Sequence, residues 1–151
     1  MAYVMRLSPD ERVRPPSGAS PSRFTIYDLP GVIDGSQTNP PLWEPSSEFS
    51  GPDPLPGDNP TIPNVTWTYI GLTDIIGPAD LGTFTVESIF GGFATSSFVG
   101  RAFLADGSVD FTVGPAVVRA PIPEPSALLL GVSGLALSVL GLRRRKRWLK
   151  Q

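Results

Sequence analysis

Val65-Thr66-Trp67-Thr68-Tyr69-Ile70 decides the fold class of this chain. Val65, Trp67 and Tyr69 fall on one side of an extended backbone and Thr66 and Thr68 on the other. That is the two-residue period of a half-buried strand, and no 3.6-residue period fits it. Working outward, Phe24–Tyr27 reads as a short strand. Thr83–Phe90 repeats the alternation, with Phe84 and Val86 opposed to Thr83, Thr85 and Glu87. Ser97–Ala105 and Ser108–Val113 follow, joined by Ala105-Asp106-Gly107-Ser108, whose Asp-Gly pair favours a tight hairpin. Val117 and Val118 add a last short strand. These segments predict an all-β fold, a small antiparallel β-sandwich-like domain over residues 23–119. Its expected core is Trp67, Tyr69, Phe84, Phe98, Phe103 and Phe111.

Between the first two strands, residues 28–63 hold nine prolines. Proline removes ladder donors, so this stretch reads as a long loop that cannot be a central strand, with Trp43 and Phe49 as the residues able to fold it back over the core. The whole chain has 16 glycines and 18 prolines, nearly twice the usual share. Residues 1–22 are polar and rich in Pro and Ser, and are expected to be disordered. They lack the apolar run of about 7–15 residues that an export signal needs. Export would therefore require a start upstream of Met1.

The chain of 151 residues contains no Cys and no His. Disulfides, thiolate nucleophiles, Cys/His zinc sites and histidine bases are thereby excluded. Glu44, Glu48 and Glu87 lack the context of a carboxylate pair, and a body of this size leaves little room for a cleft. The expectation is no enzyme, no catalytic residue and no cofactor. Asp53, Asp58, Asp106 and Asp110 do not follow a calcium-loop pattern and read as solvated turn residues rather than metal ligands. Asn64-Val65-Thr66 fits the N-glycosylation pattern, and Arg101 reads as an exposed residue on a strand face. No basic patch on the body suggests nucleic acid.

The net charge of −2 conceals a division. Six of the 12 cations lie in residues 143–150, so residues 1–142 set six cations against 14 acids, a balance of −8. Pro121-Ile122-Pro123-Glu124-Pro125 should stay extended, since proline restricts the backbone and removes donors. Ser126–Leu142 is 17 residues without a charge. As a helix it would span roughly 25 Å, the short limit for crossing a bilayer. Leu128, Leu129, Val132, Leu135, Val139 and Leu142 leave it no wet face. Arg143, Arg144, Arg145, Lys146 and Arg147 follow, then Trp148. Cations at the end of an apolar span hold that end in the cytoplasm, which sets the body outside.

This order of Pro-Glu-Pro, short apolar span and terminal Arg cluster resembles the PEP-CTERM sorting signal of Gram-negative, exopolysaccharide-producing bacteria. The resemblance covers Pro121–Lys150, about a fifth of the chain. Pro123, Glu124 and Pro125 match the motif, Ser126 its usual following residue, and Arg143–Arg145 the basic end. The resemblance implies recognition by an exosortase, a membrane cysteine protease resembling a transpeptidase. It implies an inner-membrane precursor with a periplasmic body, released to the cell envelope or exterior after sorting. The lipid bilayer and exopolysaccharide are the further partners implied, with a structural or adhesive role. The family's export signal is the part that residues 1–22 do not match. The competing reading is a plain membrane-anchored module that binds a glycan or another ligand. A tail-anchored cytosolic protein would carry the basic block across the membrane, against the positive-inside preference.

Overall fold

A computed structural model describes residues 1–16, 21–53, 55, 57–91 and 94–120, with the backbone alone for 94 and 114–120. Nine strands lie among them: β1 (Ala2–Leu7), β2 (Glu11–Val13), β3 (Arg23–Ile26), β4 (Trp43–Glu48), β5 (Asn64–Tyr69), β6 (Ile75–Ile76), β7 (Ala79–Thr85), β8 (Ala94–Leu104) and β9 (Val109–Ala120). Every pairing is antiparallel, and the described residues contain no helix. The all-β antiparallel class expected from the sequence is therefore observed. β1 and β7 form a separate ribbon. The other seven strands form one sheet running β4-β5-β3-β8, with β9 on the far side of β8. β2 continues beside β8 where β3 leaves off, and β6 pairs outside β2.

The pairing register explains where the core sits. Phe24 lies between Trp67 and Gly100, and Trp43 beside Tyr69, so the aromatic rings of neighbouring strands share one face. Phe24 stacks on Trp67 at 5.0 Å and 19°. The ribbon drives Phe84 into this layer edge-on, 4.8 Å from Phe24, 5.2 Å from Trp43 and 5.8 Å from Trp67. Such edge-to-face pairs contribute about 0.5–1.5 kcal/mol each beyond the area they bury.

The opposite face is covered too, which the alternation in β5 did not predict. Thr66 is buried, and its hydroxyl lies 2.9 Å from that of Thr25. The chain between β4 and β5 lies over this pair. Arg23 holds Asp53 there through bonds of 2.7 and 2.8 Å, the Tyr27 hydroxyl donates to the Asp53 carbonyl, and Gly51 packs so close to the Tyr27 ring that a Cβ would collide. The proline-rich segment thus acts as a strap, and two buried threonines satisfy one another beneath it.

Several sequence expectations change, and the strand read over Thr83–Phe90 is β7, which ends at Thr85. Residues 1–22 were expected to be disordered, yet they contain β1 and β2; residues 17–20 lie outside the described set. Tyr3, Met5 and Leu7 turn inward and Ala2, Val4 and Arg6 outward, an alternation obscured by the Pro- and Ser-rich stretch that follows it. The expected long loop contains β4, with Pro45 inside it. Ile70 N–H donates to the Leu42 carbonyl at 2.8 Å, which phases the ladder so that Glu44, Ser46 and Glu48 bond to β5. Pro45 therefore falls where its missing N–H would have faced solvent, on an edge strand as proline requires. Phe111 was placed in the core but is 48 % exposed, and Phe98 is only half-buried. Phe111 shares the face of Arg101 and Arg23, and the strap covers that face over β3 and β5 without reaching β9. Finally, Val117 and Val118 belong to β9 rather than to a strand of their own. The hairpin signal was read correctly: Gly107 takes φ +90°, and Asp106 accepts bonds from the Ser108 amide and hydroxyl.

Phe84→Ala should lower unfolding free energy by about 3–5 kcal/mol in urea titrations followed by tryptophan fluorescence. Phe111→Ala should cost under about 1 kcal/mol. Equal losses would contradict the division of the two rings between core and surface.

Candidate functional site

Pro123, Glu124, Pro125 and Ser126, which resemble a sorting motif, the apolar segment 126–142 and the basic residues Arg143, Arg144, Arg145, Lys146 and Arg147 all lie outside the described residues. What the described residues supply is the approach to them. β9 runs to Ala120, one residue before Pro121, and Ala120 pairs with Ala94 at the start of β8. The chain therefore leaves the body along a strand held by backbone pairing. It does not leave from a free loop.

Three of the aspartates considered for metal binding have local partners. Asp53 is not solvated as expected: it is 4 % exposed and ion-paired to Arg23. That bond holds the Arg23 guanidinium above its ordinary pKa. Asp58 accepts from the Gly51 amide at 3.4 Å and the Asn64 side chain at 3.0 Å. Asp106 is exposed, and the two bonds from Ser108 lower its pKa. Among the described residues no group of three acids gathers to hold a metal ion. Glu44 and Glu48 are four residues apart on edge strand β4, their Cα atoms roughly 13 Å apart, and both are exposed.

Asn64 is 1 % exposed. Its amide donates to Asp58 and its carbonyl accepts from the Asp28 amide at 2.8 Å, so the glycosylation pattern marks a structural asparagine. Trp43 does fold back into the core, whereas Phe49 is 60 % exposed. Burial raises the phenol pKa of Tyr27, and that of Tyr3 to about 12. Tyr27 is buried beneath the strap, and Tyr3 is half-buried beside Trp67.

A cavity of about 140 Å³ lies between ribbon and sheet, walled by Met5, Leu7, Val13, Phe24, Trp43 and Phe98. Gly100 and Ala102 also line it, as do the charged Arg6, Glu11, Arg23 and Arg101. Arg101 is half-buried rather than exposed. Its guanidinium lies 5.4 Å over Phe111, and its Nε is buried without a hydrogen-bond partner. Sequence reasoning missed this pairing because the alternation of Val109, Phe111 and Val113 is equally that of a core strand.

Asp53→Ala should destabilise the chain by about 2–3 kcal/mol, because it leaves the sheltered Arg23 charge uncompensated. Limited proteolysis should then cut first within residues 49–63. Joint replacement, Arg23→Met with Asp53→Leu, should restore most of the loss. An unchanged digestion pattern in Asp53→Ala would show that the ion pair does not hold the strap.

No family model, no curated protein and no solved structure matches this chain.

Proposed function

We propose that this chain is an exported envelope protein, sorted by an exosortase through Pro123-Glu124-Pro125 and its following segment, with no enzymatic role. The observation that carries the reading is the order of chemistry in Pro121–Lys150: a proline-stiffened motif, 17 uncharged residues, then clustered arginines. The apolar segment spans the inner membrane as a single helix, with the arginines in the cytoplasm. The body is a sandwich-like module, its ribbon and strap closing the two faces of one sheet.

Two features of the body favour this reading. The chain is free of cysteine, so its fold does not depend on the redox state of the compartment. Its acidic balance stands apart from the basic end, which suits a chain whose two ends occupy opposite sides of a bilayer. After sorting, the body acts as a structural or adhesive component of the envelope or of the extracellular polysaccharide.

Replacing Pro123-Glu124-Pro125 with three alanines, in cells that supply an exosortase, should make the full-length precursor accumulate in the membrane fraction. Immunoblotting against the body reads both forms. Unchanged processing and display would make the motif incidental and leave a plain membrane-anchored binding module.

A further inference from the structure

The two edges of the main sheet differ, and the difference points to a second copy of this chain. At the β4 edge, the groups facing out belong to Trp43, Pro45 and Ser47, and Pro45 offers no donor. Glu44 and Glu48 add charge there, and both are exposed. Proline and charge are the usual means of closing an edge.

The β9 edge has no proline over its first stretch and a single charge, Asp110, against the two of β4. The Leu104 amide donates to the Ser108 carbonyl at 2.9 Å, which phases the hairpin so that Asp110, Thr112 and Gly114 bond to β8. The amides and carbonyls of Val109, Phe111 and Val113 then face outward. Their side chains are 40 %, 48 % and 57 % exposed. Among the described residues nothing pairs with this side of β9. The regular stretch ends at Gly114, where the register shifts opposite Ser96–Phe98.

We infer that two copies join by antiparallel pairing of their β9 edges, centred on Phe111, into one continuous sheet. Charge selects this register. Centring on Phe111 sets Asp110 opposite Thr112 of the second copy, and Val109 opposite Val113. Centring on Asp110 would set two carboxylates face to face. Centring on Thr112 would push Val109 against Pro115 in the irregular stretch. Pairing β9 with β4 of another copy would bring Asp110 toward Glu44 and Glu48 at an edge Pro45 has already closed. The pairing is therefore isologous and closes on itself without building a filament. Phe111 meets its own counterpart on one face, and each copy's Arg101 guanidinium lies over the joined rings. The contact is short beside a standard interface, and the acidic bodies repel one another. The dimer is weak and strengthens as salt screens that repulsion. None of this rests on the sorting reading.

A chain without cysteine allows a clean test in the full-length protein, kept in mild detergent with micelles in excess over chains. Phe111→Cys should cross-link to itself with a short bis-maleimide, and more so at physiological than at low ionic strength. An equal mixture of Val109→Cys and Val113→Cys chains should cross-link several-fold better than either alone. Ser47→Cys, on the closed edge, should stay monomeric. Adding Val113→Pro, which removes an outward donor as Pro45 does, should cut the Phe111→Cys product several-fold. The circular dichroism of each variant should match the parent. Equal yields at positions 47 and 111, no product at 111, or indifference to Val113→Pro would each overturn the pairing.

Discussion

The stacked rings of Phe24 and Trp67, with Phe84 set edge-on against them, are the contact on which the rest of the body depends. No disulfide supports this chain, and its strands are mostly short. The ribbon β1–β7 is two strands and would be marginal alone. Inserting Phe84 and Tyr3 onto the aromatic face of the sheet gives the ribbon its stability and gives the sheet its cover. With that face closed, β3 and β5 become the centre of the molecule, and the strap over Thr25 and Thr66 completes their burial. A sheet covered by strands on one side and by a loop on the other buries polar groups. Each of these needs a partner. Thr25, Thr66 and Asp53 find theirs in the Thr25–Thr66 pair and the Arg23–Asp53 bridge, whereas Trp67 Nε1 and Arg101 Nε are buried without one.

The sequence reading located the central strands because alternation is a local property. Val65–Ile70 and the Asp106-Gly107 hairpin were legible from single residues and their neighbours. It failed where the outcome depended on what covers a face. Thr66 and Phe111 carry the same alternation as their strands, yet Thr66 is buried beneath the strap and Phe111 lies outside its reach. The prolines misled in a different way. Pro45 excludes a central strand but permits an edge strand in one phase of the ladder, and only the pairing with β5 reveals that phase. At the N-terminus, the inward set Tyr3, Met5 and Leu7 was too short to outweigh a polar composition, and its partner, β7, is more than seventy residues away.

The candidate site was legible in another sense. The proposed sorting peptide is defined by its order along the chain, so Pro123-Glu124-Pro125, the uncharged run and the arginines are visible without a fold. What the fold adds is how the chain arrives there. β9 carries it as a paired strand up to Ala120, one residue before Pro121. The same strand has an open edge of Val109, Phe111 and Val113 on one end of its length and the approach to Pro121 on the other. Neither property follows from composition.

Under the proposal, the acidic body and the basic terminus occupy opposite sides of a bilayer, and every statement about sorting rests on that separation. It is tested most directly by topology reporters fused in turn after Ala120 and after Gln151, in the chain expressed with its native upstream sequence. Alkaline phosphatase, active only outside the cytoplasm, should be active after Ala120 and silent after Gln151, and a fluorescent protein that matures only in the cytoplasm should show the reverse. The same reporter lit at both positions, or phosphatase active after Gln151, would contradict the account.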